Sequence, residues 1–200
     1  MTKRIALAIT GASGAVYGLE LLKCLVAAQC RVYLLLSSAA EVVINTETEL
    51  RLPDGVSQQQ AFFEQLSGAP PGHLSMFDKN DWFSPVASGS NAPDSMVICP
   101  ASGSTLSAIA SGASKNLIER AADVAIKERR QLIVVPREMP LSEIHLQNML
   151  ALSRLGVTVM PASPGFYLNP QSIDDLVKFV VARVLDHLRI EHNLLRRWAD

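Results

Sequence analysis

The 200-residue sequence predicts an α/β fold built on a mostly parallel, doubly wound sheet. Three observations lead there. Short runs rich in Val, Ile and Leu recur along the chain, and helical patterns separate them. The runs also lack the polar alternation of strands with one wet face, as expected where helices cover both faces of a parallel sheet. With right-handed crossovers, such an alternation closes into a Rossmann-like three-layer sandwich.

The first run, Arg4–Ile9 ("RIALAI"), enters a glycine-rich turn and then a helix over Gly14–Gln29. A second strand, Arg31–Leu36, precedes a helix over Ala39–Glu49. Residues 51–91 are the least regular, with "GAPPGH" and "PVASGSNAP" marking loops around a short helix at Gln58–Ser67. So long an irregular stretch inside a compact domain points to function or a subunit contact. The next strand, Ser95–Cys99, is closed by Pro100 and followed by helices over Ser104–Ser111 and Asn116–Arg129. Strand Gln131–Val135, helix Ser142–Leu155 and strand Val157–Met160 complete the alternation. Asn169-Pro170 stops the following loop, and Ser172 with Asp175 forms an S-x-x-D capping box. That last helix runs to Leu188, ahead of a polar tail, "EHNLLRRWAD". No internal repeat interrupts the pattern, and the chain reads as one domain over residues 1–200.

Composition narrows the partners. A net charge of −1 gives no reason to expect nucleic acid or an anionic membrane surface. Hydrophobic residues make up 48% and charged residues only 18%, an apolar balance for a soluble monomer that suggests a homo-oligomer with buried subunit faces. No apolar run approaches the ~20 residues of a membrane span. The N-terminal "MTKRIALAIT" is too short for a signal peptide and enters a glycine turn rather than a cleavage site. Cys24, Cys30 and Cys99, an odd number, read as reduced, buried thiols of a cytoplasmic protein. The four histidines show no ligand spacing, so no metal is expected.

The opening turn reads T-G-x-x-G-x-x-x-G, with glycines at 11, 14 and 18. Free backbone N–H groups and the helix dipole there favour an anion. The spacing is not the G-x-G-x-x-G of dinucleotide sites, and the second strand ends in Ser37-Ser38 where a ribose-binding Asp or Glu would stand. No Tyr is followed four residues later by Lys, so the usual short-chain reductase base is missing. Ser13 and Ser37 suit a mononucleotide instead, although the glycines also fit a role in close helix–strand contact alone. A second hydroxyl-rich helix start, "CPASGSTLSAIASG", carries Ser102, Gly103, Ser104 and Thr105 at the same carboxyl edge of the sheet. The following strand ends in "VVPREMP", placing Arg137 and Glu138 at that edge too. In the last helix Arg183 falls on the apolar stripe of Leu176, Phe179, Val180, Val184 and Leu188. A guanidinium there needs an anion, a carboxylate or a phosphate, unless it snorkels to water. Tyr167 sits just upstream on the stiff loop "PASPGFYLNP".

Several longer stretches, in order, carry a family likeness: "TGASGA.YGL", "NDWFSPVASGS", "NLIERAADVAIKERR", "VPRE.P.S.IHL.NML" and "PASPGFY..P.S..DLV.F...R". Over nearly its whole length the chain resembles the UbiX-type flavin prenyltransferases. The resemblance implies a transferase that moves a dimethylallyl group from dimethylallyl phosphate to N5 and C6 of reduced FMN, without a metal. Its product, prenylated FMN, would serve a UbiD-type decarboxylase, often in ubiquinone synthesis, and the enzyme would be a homo-oligomer, usually a dodecamer. By the same resemblance Gly11, Ala12, Ser13, Ser37, Ser102, Gly103, Ser104, Thr105 and Arg137 would contact FMN. Ser88, Arg120, Lys127, Glu138, Tyr167 and Arg183 would hold the prenyl phosphate, and Glu47 and Glu138 would handle protons. Ala101, Gly103 and Ser104 depart from the family's more usual cysteine-bearing turn, which bears on the fine flavin contacts.

The chemistry agrees. Breaking an allylic C–O bond leaves a cation and a phosphate anion. Metal-dependent prenyltransferases meet the anion with paired Asp clusters, but Asp174-Asp175 is explained here by helix capping. Lys127, Arg137 and Arg183 offer fixed positive charge for the leaving phosphate, which makes Lys127 a catalytic as well as a binding candidate. An i,i+4 pair with Asp123 is the structural alternative for Lys127. Trp82 offers an aromatic face to an allyl cation, or else packs a loop or subunit contact. Two other readings compete. An FMN-dependent cysteine decarboxylase of related fold would share "PASGST", but its P-x-M-N-x-x-M-W motif and the His after its opening turn are absent. A non-catalytic flavin-binding protein would have no use for Lys127 and Arg183.

Overall fold

The computed structural model describes residues 2–195; Met1 and residues 196–200, the end of the polar tail, lie outside them. Among the described residues six strands alternate with seven α-helices. The strands are β1 (Arg4–Ile9), β2 (Arg31–Leu36), β3 (Leu74–Met76), β4 (Ser95–Ala101), β5 (Gln131–Pro136) and β6 (Thr158–Val159). The helices are α1 (Ala15–Ala27), α2 (Ser38–Glu47), α3 (Val56–Ser67), α4 (Gly103–Ala110), α5 (Leu117–Lys127), α6 (Glu143–Arg154) and α7 (Ile173–His187). Every strand pairing is parallel, in the order β3-β2-β1-β4-β5-β6. The chain winds outward from β1, returns beside it at β4 and winds outward again. The switch point between β1 and β4 is where open α/β sheets hold ligands.

The alternation of side chains along β1 assigns the layers. Ile5, Leu7 and Ile9 face a core built with Leu21, Leu22 and Leu25 of α1, Phe63 of α3 and Val180 and Val184 of α7. Ala6 and Ala8 face the other side, against Leu106 and Ile109 of α4, Ala121 and Ala122 of α5 and Leu152 of α6. Burying each large apolar side chain contributes about 1.5–3 kcal/mol. One glycine of the opening motif serves a close helix–strand approach: a Cβ on Gly18 would overlap the carbonyl oxygen of Cys99 on β4.

The fold class agrees with the sequence reading, with three differences in detail. The edge strand β3 lies inside the stretch read as loops, since three residues between Pro- and Gly-rich segments carry no measurable period. β4 continues through Pro100 to Ala101, with a register shift between Ile98 and Ala101. Pro100 donates nothing to the ladder, yet its carbonyl accepts from both the amide (3.2 Å) and the hydroxyl (2.9 Å) of Thr10, which holds the strand in place. Finally, the stripe by which α7 docks is Val177, Val180, Val181, Val184, Leu185 and Leu188. Arg183 lies outside it.

Candidate functional site

The two hydroxyl-bearing helix starts meet at the switch point through one buried residue. Thr10, directly after β1, is 1% exposed, and besides binding Pro100 its hydroxyl accepts the Ser102 amide at 2.8 Å. The α1 and α4 turns are thereby tied edge to edge. Thr10 stood in the opening motif but drew no role from the sequence, because its partners lie some ninety residues away. On the α4 side Ser102 caps the helix, and its hydroxyl lies 3.0 Å from those of both Ser104 and Thr105. These hydroxyls, with the open N–H groups of the first turn of α4, form a polar rim suited to a phosphate or to the polar edge of a flavin ring. Ser37 caps α2 through the Ala40 amide, at 3.0 Å, on the neighbouring strand end.

The α1 turn itself is organised by a carboxylate from another helix. Gly14 takes the left-handed conformation (φ 101°) just before α1. Glu47, at the end of α2, accepts from the amides of Gly14 (2.8 Å) and Ala15 (3.1 Å). The anion expected at this helix start is thus supplied, for these two amides, by the chain's own side chain. Partial burial by itself would push the Glu47 carboxyl up. The Ser13 hydroxyl, the two amides and the Arg137 guanidinium outweigh it and hold the group below the ordinary carboxylate range. Glu47 is therefore an ionised acceptor. Because its folded value is the lower one, its stabilisation is complete above the ordinary glutamate value, roughly 4.3, and is lost as pH falls through the folded value. Glu47→Gln is expected to cost about 0.5–1 kcal/mol at neutral pH, small because the carboxylate is exposed. Melting curves at pH 7 and pH 3 test this; the variant should differ from the wild type at pH 7 and converge with it in acid.

Across the crevice the β5 loop supplies the cation. Arg137 Nε donates to the Ser13 carbonyl at 3.3 Å, joining the end of β5 to the turn after β1. Its neighbour Glu138 is exposed, and Oε1 accepts from the Met139 amide at 3.2 Å. Gly11, Ala12, Ser13, Ser37, Ser102, Gly103, Ser104, Thr105, Arg137 and Glu138 thus all lie at the carboxyl edge of one sheet.

The remaining candidates lie elsewhere. Arg120 donates to the Ala87 carbonyl (3.1 Å) and pairs with Asp123 (2.9 Å), so the proposed Asp123–Lys127 pair is replaced by an i,i+3 one. Lys127 pairs instead with Glu128 at 3.1 Å. It ends α5 just before β5 begins, which puts it at the amino edge of the sheet. Ser88, in the loop beside α5, lies 3.0 Å from Ser90, hydroxyl to hydroxyl, and Trp82 stands half-exposed beside the wholly exposed Phe83. On the opposite face of the sheet Tyr167 makes an edge-on contact with Phe179 of α7, centroids 5.6 Å apart. Arg183 follows one turn later on the same side of the helix. The sequence placed Arg183 on the apolar stripe; the structure corrects this. Its side chain is half exposed and binds Asp186 at 2.6 Å, because 183 is offset by about 100° from the buried Val184. Within one chain the sheet stands between Arg183 and Lys127, and neither reaches the carboxyl-edge crevice.

The thiols are outside the chemistry. Burial pushes Cys99 up to about 12 and Cys24 to about 11, far from reactive thiolates. Among the described residues no group of His, Cys, Asp and Glu is placed to hold a metal, and no helix is long and apolar enough to cross a membrane.

Two tied helix starts at a switch point, rimmed by hydroxyls and closed by an arginine, define a mononucleotide-binding α/β protein. The flavoprotein family model matches residues 1–185. The flavin prenyltransferase UbiX of Pseudomonas aeruginosa is 57% identical over 99% of this chain and 95% of its own length. AnUbiX (PadA1), solved in complex with FMN and dimethylallyl pyrophosphate, superposes with a TM-score of 0.88 at 38% identity, covering 100% of this chain and 99% of that one. A dodecameric FMN-dependent UbiX-like decarboxylase from Escherichia coli O157:H7 gives 0.85 at 40% identity, covering 98% and 100%. The chain belongs to the flavoprotein family and, within it, to the UbiX-type flavin prenyltransferases.

Proposed function

We propose that this protein transfers a dimethylallyl group from dimethylallyl phosphate to N5 and C6 of reduced FMN, as a metal-independent transferase acting in the cytoplasm. The observation that carries the reading is the bridge from Arg137 to the Ser13 carbonyl, which closes a crevice lined by hydroxyls at the β1/β4 switch point. The residues fit a flavin mononucleotide: a fixed cation, backbone donors at α4 and a cluster of hydroxyls bonded chiefly to one another. Reduced FMN supplies the nucleophilic positions, so no Ser, Cys or His nucleophile is required of the protein. Ser13, Ser37, Ser102 to Thr105 and Arg137 hold and orient the acceptor. Glu138, beside Arg137, moves a proton at the reacting edge, and Glu47, held ionised, acts as an acceptor.

Arg183 with Tyr167, and Ser88 with Arg120 and Lys127, supply the phosphate-binding charge from neighbouring copies in a homo-oligomer, a dodecamer by likeness to the related assembly. Trp82 lines the same junction. The unpartnered side of α6 supports assembly: Ile144, Leu146 and Leu150, with Met139, Leu141 and Leu155 at its ends, are all exposed. All 200 residues act as one flavin-binding domain, and the product passes to a UbiD-type decarboxylase, with ubiquinone synthesis as the setting. Anaerobic incubation with reduced FMN and dimethylallyl phosphate, then mass measurement of the flavin, tests the activity. The flavin should gain one C5H8 unit, and FMN rather than NAD should bind in calorimetry. An unchanged flavin mass with either the monophosphate or the diphosphate donor would overturn the reading.

A further inference from the structure

The start of α6 holds a histidine in an uncommon role. Ser142 caps the helix by accepting the His145 amide at 3.2 Å, and His145 Nδ1 accepts the Ser142 amide in return, also at 3.2 Å. Glutamate or glutamine fills this third position in most capping boxes. An imidazole does so only through an unprotonated Nδ1, so the neutral ring carries its proton on Nε2. The cap thus fixes both the orientation of the ring and the nitrogen that donates.

That nitrogen lies beside the first residue of α4, at the rim of the site. A Cβ built on Gly103, the first residue of α4, would stand 2.8 Å from His145 Nε2 and 3.8 Å from Glu138 Oε2. The imidazole N–H and the carboxylate therefore border one notch, kept open because residue 103 has no side chain. The other oxygen, Glu138 Oε1, is already engaged by the Met139 amide. Oε2 is left facing the notch.

We propose that His145 is a positioning residue for the transfer reaction: held by the Ser142 cap, its Nε2–H orients Oε2 of Glu138 toward the reacting edge of the acceptor. This rests on the reading that Glu138 moves a proton in that reaction. Gly103 takes part by leaving the space, so a side chain there would part the two groups.

The test uses the intact enzyme with His145→Gln, Glu138→Gln and the double variant, each assayed for prenylated flavin under saturating donor. Glutamine keeps the capping box, so His145→Gln should retain its melting temperature and its FMN affinity within about twofold. Its turnover should fall tenfold or more with the KM for dimethylallyl phosphate unchanged. If His145 acts through Glu138, the double variant should be no slower than Glu138→Gln alone. Losses that multiply in the double variant, or wild-type turnover in His145→Gln, would overturn the assignment of His145. Wild-type turnover in Glu138→Gln would overturn the underlying role of Glu138 itself, and the two failures are told apart by which single variant is silent.

Discussion

Glu138→Gln is expected to bind FMN as the wild type does and to form prenylated flavin on the order of 10²- to 10⁴-fold more slowly, or to stall part-way. The carboxylate is exposed, at the carboxyl edge, next to the arginine that closes the crevice. Glutamine preserves its size and one acceptor oxygen, so the Met139 amide keeps its partner. What is lost is the ability to take up and give back a proton. The loss should therefore appear at saturating donor and FMN, in turnover rather than affinity. Single-turnover flavin mass spectra with time would show it. Full wild-type turnover would remove Glu138 from the reaction.

The second large effect concerns Arg183. A charge-assisted hydrogen bond to phosphate contributes about 1.5–3 kcal/mol, on the order of ten- to a hundredfold in affinity. Arg183→Ala should weaken donor binding by that much and slow turnover at saturating donor, with FMN affinity nearly unchanged. Tyr167→Phe should act in the same direction, more mildly. The structure sharpens the prediction in two ways. Arg183 is half exposed and paired only with Asp186 among the described residues, so its removal should leave folding almost untouched. Since Arg183 and Lys127 stand on opposite faces of the sheet, a site that uses both draws them from different copies. Mixed oligomers of Arg183→Ala and Lys127→Ala chains, dissociated and reassembled together, should then recover activity that neither variant has alone. No recovery in verified mixed assemblies, or a fall in FMN affinity in Arg183→Ala, would make Arg183 something other than a donor-phosphate residue.

Much of the carboxyl-edge site was legible in the sequence because its parts are local. Each helix start announces itself through a glycine or hydroxyl next to an apolar strand, and Arg137-Glu138 follows its strand directly. In a parallel sheet such positions share one edge whatever the strand order. The capping box at Ser172 and Asp175 was readable for the same reason. Thr10 and His145 were not. Thr10 acts on residues some ninety positions away, and Ser142 with His145 spells S-x-x-H rather than the S-x-x-E/Q by which a capping box is read.

Arg183 marks the boundary of what periodicity can say. An apolar stripe on a helical wheel is broad, and a residue at its margin is buried or exposed according to which neighbours the helix docks against. By itself the sequence determined the alternation of strands and helices, the parallel sheet and the chemistry gathered at its carboxyl edge, because these follow from local pattern and the handedness of crossovers. Only the tertiary structure decided that Glu47 occupies the amides of the first turn, that Thr10 ties the two turns together, and that Lys127 and Arg183 stand apart across the sheet. Those outcomes depend on contacts between segments far apart in sequence, whose geometry is set when the core packs.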